Sequence, residues 1–96
     1  MRPDPALMQK LLETFAQFPD EEAHLNEVAE KAGVPWNEHT IDHFAAMEKT
    51  NLIRRNDGRA GIGLQIDEQG TYAISVGPIL KRTAYGRARL AAGLLD

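Results

Sequence analysis

Two histidines four residues apart, His39 and His43, are the side chains whose type and spacing best suit chemistry. On a helix, this spacing places both imidazole rings on one face, where they could chelate a metal ion. The segment lacks the glutamate of a metalloprotease signature, and a third ligand would have to come from Asp42 or the distant His24. We therefore predict two surface histidines, with no metal and no other cofactor.

Residues for covalent or acid–base catalysis are scarce. The chain has no cysteine, and its single serine, Ser75, lies inside a predicted strand. The glycine-rich stretch 57–63 leads into a strand, whereas phosphate-binding glycine loops follow a strand and open a helix. Because the sequence shows no nucleophile beside a base and no carboxylate pair in an evident cleft, we predict that the protein is not an enzyme.

Polar side chains on a predicted third helix could instead read DNA bases, since the start of such a helix lies at base edges in the major groove. Asparagine pairs well with adenine. However, Glu38 and Asp42 lie among these side chains, and no lysine or arginine occurs between Lys31 and Lys49. A solvated helix face is the alternative. The candidate base-reading residues are Asn37, His39, Thr40 and His43.

Positive charge is concentrated in the second half of the chain. Residues 1–51 hold four basic and ten acidic side chains, whereas residues 52–96 hold seven basic and four acidic ones. Arginine suits bidentate phosphate capture, so this half is the better candidate for contact with a polyanion. The alternative is a surface patch that balances the acidic half. Four cations lie around the start of the last predicted helix, namely Lys81, Arg82, Arg87 and Arg89. The predicted phosphate contacts are Arg54, Arg55 and Arg59, which surround a turn at 56–58.

Capping signals define the first two helices. Asp4 is a good cap and Pro5 suits the first helical position. Apolar residues then recur at helical spacing as far as Phe18. A short second helix ends at Gly33, where a left-handed backbone has no steric cost.

The third helix follows a sharp turn at 34–35. Asn37 can cap this helix, Trp36 can pack on Ile41 as a hydrophobic staple, and Asn51 tolerates the left-handed conformation that ends it. The apolar spacing points Ile41, Phe44 and Met47 inward, and it points Asp42, His43 and Ala46 outward.

The remaining chain predicts a hairpin and a last helix. Segments 61–66 and 71–76 alternate at period two and are joined by a turn at 67–70. Thr83 can cap the last helix, whose expected inward residues are Leu80, Tyr85, Leu90, Leu94 and Leu95. The order predicts one α+β, mainly α domain over residues 1–96, a winged helix-turn-helix with three N-terminal helices, a β-hairpin wing and a C-terminal helix.

The stretch "HLNEVAEKAGVPWNEHTIDHFAAMEKTNLIRR" (24–55) resembles winged-helix regulators of the MarR and PadR groups. With "MRPDPALMQKLL" at the start, the chain more specifically resembles a phage- and prophage-associated winged-helix family, the domain-of-unknown-function family 2513. The chain departs from this family at Arg82, Arg87 and Asn51, where leucine, histidine and glycine are usual. The resemblance implies a phage or prophage origin and a nucleic-acid or regulatory role. The matching positions are Arg2, Asp4, Leu7, Leu11, Leu12, His43, Phe44, Met47, Leu52, Ile53, Thr83 and Gly86.

Two functions follow as hypotheses. The first is a cytoplasmic DNA-binding transcriptional regulator, with a homodimer formed through the terminal helices and no association with a membrane. The second is a protein-binding module that uses its acidic face to occupy a basic surface on a host or phage protein. An inhibitor of a nucleic-acid-handling defence complex would be one example. The acidic face consists of Glu22, Glu27, Glu30, Glu38, Asp42 and Glu48.

Overall fold

The computed structural model describes residues 3–63 and 78–93. These residues form four α-helices and a three-stranded antiparallel sheet, so the predicted α+β, mainly helical class is confirmed. Short 3₁₀ turns at Phe15–Gln17 and Pro19–Glu21 follow the first helix. In chain order the elements are α1 (Pro5–Thr14), β1 (Glu22–His24), α2 (Leu25–Ala32), α3 (Glu38–Lys49), β2 (Ile53–Arg55), β3 (Ile79–Arg82) and α4 (Ala84–Ala91).

The helix ends follow local signals. The Asp4 carboxylate accepts the Leu7 N–H at the start of α1, and the Asn37 side chain accepts the Thr40 N–H, 3.0 Å away, at the start of α3. Gly33 ends α2 and Asn51 follows α3, both in the left-handed conformation, with φ of 75° and 67°. Each predicted cap is therefore confirmed, because each acts within about four residues of its own helix end.

The sheet departs from the sequence-based prediction. Its strand order is β1-β3-β2, so β1, which no pattern predicted, pairs with a strand from the far end of the chain. Three residues are too few to show a period of two. The predicted hairpin strands lie almost wholly in 64–77, outside the described residues, and residues 61–63 are not in a strand. Leu80 is buried as predicted, but in β3 rather than in the last helix.

The core lies between α1, α2, α3 and the inner face of the sheet. Trp36 packs against it with its ring centroid 6.3 Å from that of Phe44, while the predicted contact with Ile41 stays a prediction. Tyr85 was expected to face inward, but it is half-exposed because α4 turns its other side to the core through Leu90. The largest fully buried side chains include Leu11, Leu12, Phe15, Phe44, Met47, Ile53 and Leu80.

An ion-pair cluster joins the 3₁₀ turn Pro19–Glu21, strand β3 and helix α4. Arg82 of β3 is almost fully buried and donates two hydrogen bonds to the Glu21 carboxylate, of 2.8 and 3.0 Å, and a third to the Leu12 carbonyl. Arg87 of α4 donates to the same carboxylate over 2.9 Å. The bonds from Arg82, with a smaller contribution from Arg87, lower the pKa of Glu21 from 4.5 to about 2. Arg82, counted in the sequence among surface cations, is therefore part of the packed structure.

The start of α4 is fastened to the turn after α3. The Thr83 hydroxyl accepts the Gly86 N–H over 2.8 Å and donates to the Asn51 carbonyl over 2.7 Å. The Thr83 N–H donates to the Leu52 carbonyl, against which Gly86 also packs. Thr83 therefore caps its own helix, as predicted, and also joins it to a segment about 30 residues earlier.

Within 3–63 and 78–93, every helix is too short or too polar to span a bilayer.

Candidate nucleic-acid interface

Two of the four predicted base-reading side chains are buried. Thr40 is 2% exposed, and its hydroxyl donates to the Pro35 carbonyl over 2.8 Å. His43 is fully buried, so the prediction that it faces outward is wrong. Thr40, His43 and Met47 form a second inward stripe beside Ile41 and Phe44, because the start of α1 covers that side of α3. Neither Thr40 nor His43 can reach a base without breaking its internal bonds.

The hydrogen bonds of His43 define its tautomer. The Asp4 N–H donates to Nε2 over 2.9 Å, so this nitrogen carries no proton. Nδ1 therefore carries it and donates to the His39 carbonyl over 2.7 Å. With both nitrogens engaged, the His39–His43 pair does not offer two free metal ligands, although the ring centroids are only 4.5 Å apart. His43 instead holds the first residues of α1 against α3.

Replacing His43 with leucine is expected to lower the free energy of unfolding by about 1–2 kcal/mol, because the Asp4 N–H loses its acceptor in the fully buried His43 ring. Urea unfolding followed by Trp36 fluorescence measures this change. His39→Gln, on the exposed side of the same helix, is the control and should change stability by less than about 0.5 kcal/mol. Equal losses in the two variants would contradict the assigned role of His43.

The other two predicted residues, Asn37 and His39, remain at the surface of α3. The Asn37 side-chain oxygen is engaged as the helix cap, so a base contact would have to use its amide nitrogen. His39 is exposed and its ring lies against that of His43. Their contact with DNA stays a prediction, and α3 offers fewer base-reading groups than its sequence indicated.

The three predicted wing arginines have different surroundings. Arg55 is largely buried and forms a bidentate ion pair with Asp57, with a shortest distance of 2.7 Å. This pairing, with a hydrogen bond from the Arg59 N–H, lowers the pKa of Asp57. Arg54 and Arg59 are exposed and form no ion pair within the described residues. Arg55 is therefore already neutralised by the protein, whereas Arg54 and Arg59 keep their charge for a partner.

The loop that carries Arg59 is held against α3. The Gly61 N–H donates to the Glu48 carboxylate in the last turn of α3, over 2.9 Å. The Arg59 N–H donates to Asp57 over the same distance, so both sides of the loop are fixed. Glu48 was predicted to belong to the acidic face, and its carboxylate accepts this hydrogen bond from the loop. No local pattern signals the contact, because 13 residues separate donor and acceptor.

A basic depression lies on the outer face of the sheet, at the end of α3. Arg54 and Lys81 are cross-strand partners in β2 and β3, and both point away from the buried face that holds Leu80. Arg87 and the half-exposed Tyr85 of α4 complete its wall. In the sequence, Lys81 and Arg87 were grouped with Arg82 and Arg89, and Arg54 was assigned to a different group. Arg54 and Lys81 become neighbours only because β2 pairs with β3.

An acidic surface remains on α2 and α3. Glu30 and Glu38 are exposed and form no ion pair within the described residues. The Glu27 carboxylate, by contrast, accepts the His24 N–H at the start of α2. The acidic face is therefore smaller than its six predicted members.

Comparison of the chain with known protein families, with curated proteins and with solved structures finds no match.

Proposed function

We propose that the protein is a winged helix-turn-helix module that binds double-stranded DNA and acts as a transcriptional regulator in the cytoplasm. The element order supports the winged-helix part: a helix, a short strand, two helices joined by a five-residue turn, and two further strands. Strands β2 and β3 are antiparallel neighbours, with β1 on the other side of β3, and the connection between two such strands is where a winged helix carries its wing. The phage or prophage type is part of the same proposal and rests on the sequence resemblance.

The observation that carries the DNA-binding proposal is the attachment of the Arg59 loop to α3. Because the Gly61 N–H donates to Glu48, the loop that carries the exposed Arg59 lies against the last turn of α3. A helix that enters the major groove needs cations beside it for the phosphates, which supply most of the affinity. Lys49, exposed at the end of α3, can add to this contact.

The test is a fluorescence-anisotropy titration of a labelled random duplex at about 50 and then about 200 mM salt. We expect the wild type to bind more weakly as salt rises. Arg59→Ala should bind more weakly than the wild type, with a salt slope smaller by about one. Lys10→Ala, which removes the same charge from the exposed side of α1, is the control and should bind like the wild type.

Two outcomes would contradict this proposal. One is the absence of salt-dependent binding by a folded protein at tens of micromolar. The other is equal binding by the Arg59→Ala and Lys10→Ala variants. The titration does not depend on the predicted homodimer, which stays a prediction. Of the elements expected to form it, α4 packs beside α1. Leu94 and Leu95 lie outside the described residues.

A second candidate function is binding to a basic protein surface. It is favoured by the exposed Glu30 of α2 and Glu38 of α3, which lack an ion-pair partner within the described residues. Glu38 also lies at the start of α3, where a DNA-reading helix would carry cations. Titration with poly-lysine tests this charge complementarity. Binding by the wild type that the Glu30→Gln/Glu38→Gln variant loses, with no binding to the duplex, would favour this function over the first.

A further inference from the structure

The basic depression has the size of a small-ligand pocket. It encloses about 400 Å³, within the range of roughly 300–1,000 Å³ that is typical of such pockets. Four cations line it, and Asp20 is the one carboxylate on the wall among the residues that the structure describes. One of the four, Arg82, is almost fully buried against Glu21, so the more accessible Arg54, Lys81 and Arg87 are the cations that face an incoming group.

Two of these cations are held side by side at a cost to the fold. Arg54 and Lys81 are directly opposite each other in an antiparallel pair, and like charges in this position repel. Glu22 is the partner of Lys81 on its other side, yet the two form no ion pair. Arg55 and Arg82 nearby are ion-paired with carboxylates, whereas Arg54 and Lys81 form no ion pair within the described residues, which favours an external anion.

The third cation is already oriented. Arg87 is half-exposed, and its Nη1 donates to Glu21 over 2.9 Å. Its other N–H groups make no hydrogen bond within the described residues and remain available to a ligand. Because the guanidinium is fixed before binding, less conformational entropy is lost when it meets an anion. Arginine donors in a fixed fork suit phosphate oxygens better than a single point charge does.

Tyr85 adds a group that suits a nucleotide. It is 50% exposed, the one large apolar side chain so exposed among residues 3–63 and 78–93. Aromatic rings beside cations bind nucleotides by stacking on the base while the cations hold the phosphate.

We propose that this depression binds the phosphate group of a nucleotide unit. Arg54 and Lys81 hold the phosphate from the sheet, Arg87 holds it from α4, and Tyr85 contacts the attached base or sugar. The unit is either a free nucleotide or part of a nucleic-acid strand, since both present the same phosphate. This inference does not need the α3–Arg59 surface of the proposed function.

The test is a two-dimensional NMR titration of the ¹⁵N-labelled protein with deoxyadenosine monophosphate, and separately with deoxyadenosine. We expect saturable shifts of the Arg54, Lys81 and Tyr85 amides with the phosphorylated compound only. Lys81→Gln should weaken this binding by roughly tenfold, as the loss of one charge-assisted hydrogen bond of about 1.5 kcal/mol implies. Lys10→Gln should leave it unchanged. Because the Lys81 side chain forms no ion pair or hydrogen bond within the described residues, the Lys81→Gln variant should fold.

A short random duplex, added to the same labelled protein, distinguishes the two sources of phosphate. Shifts of the same amides with the duplex, reduced by Lys81→Gln, identify a strand as the ligand. Saturable binding of the mononucleotide that the duplex does not displace identifies a free nucleotide. If neither compound shifts these amides, or if Lys81→Gln binds as the wild type does, the inference is overturned. Arg59→Ala should leave mononucleotide binding intact, so the failure of the proposed DNA interface and the failure of this inference give different results.

Discussion

Replacing Glu21 with glutamine is expected to lower the free energy of unfolding by about 3 kcal/mol. Glutamine keeps the size of the side chain but removes the charge that Arg82 faces in an almost fully buried position. Breaking a buried ion pair on one side commonly costs about 3–5 kcal/mol, because the other charge is left without compensation. The hydrogen bonds from Arg82 also lower the pKa of Glu21 from 4.5 to about 2, and solvent at the exposed quarter of this side chain keeps the loss at the lower end of that range. Since domains of this size have a total stability of roughly 5–15 kcal/mol, a substantial part of it depends on one carboxylate.

Urea unfolding followed by Trp36 fluorescence measures the loss, and neighbouring variants locate its origin. Glu22→Gln, one residue later, removes a charge that forms no ion pair in the part of the chain that the structure describes, and it should cost less than about 0.5 kcal/mol. Arg87→Ala removes the half-exposed partner and should cost less than about 1 kcal/mol. A Glu21→Gln loss as small as that of Glu22→Gln would show that the Arg82 pair does not stabilise the fold.

The same carboxylate gives the unmutated protein a defined pH dependence. Its pKa is lower in the folded than in the unfolded state, so the folded state holds fewer protons. The stabilisation is complete above about pH 4.5 and is lost as the pH falls from there through about 2. The Glu21→Gln variant should lack this part of the acid loss, so the two stability curves should converge at low pH.

Replacing Gly86 with alanine is expected to lower the free energy of unfolding by about 2–3 kcal/mol. A Cβ at this position would overlap the carbonyl oxygen of Leu52 and lie 3.1 Å from its carbonyl carbon. The obstacle is backbone, which Thr83 holds in place through the same Leu52 carbonyl, so it cannot move aside as a flexible side chain could. Overpacking of this kind costs about 1–3 kcal/mol or more. The better helix propensity of alanine, worth up to about 1 kcal/mol, offsets only part of it.

Gly33→Ala is the matched control, measured by the same urea unfolding. Gly33 has open space around its Cβ position, but it ends α2 with a φ of 75°. Its replacement should therefore cost about 1 kcal/mol, through backbone strain alone. If Gly86→Ala proves no more destabilising than Gly33→Ala, then α4 can move away from Leu52 and the contact does not define its position.

The sequence by itself determined where the helices begin and end. Asp4, Gly33, Asn37, Asn51 and Thr83 were each identified from type and position, and each has the predicted role. A capping residue forms hydrogen bonds with backbone groups within one turn of itself. Neighbouring residues are therefore sufficient to identify it, without the rest of the chain. The mainly helical class followed from the same signals.

Only the tertiary structure decided which polar side chains are available to a partner. His43 is buried because Asp4, 39 residues earlier, donates to it, and Arg82 is neutralised by Glu21, 61 residues earlier. Arg54 and Lys81 become neighbours only when β2 pairs with β3. Hydrogen bonds and ion pairs of this kind join groups by distance in space, while sequence patterns report only local spacing. The sequence therefore predicted the fold class better than the candidate site. The burial and ion pairing of a polar side chain depend on the distant segments that pack against it.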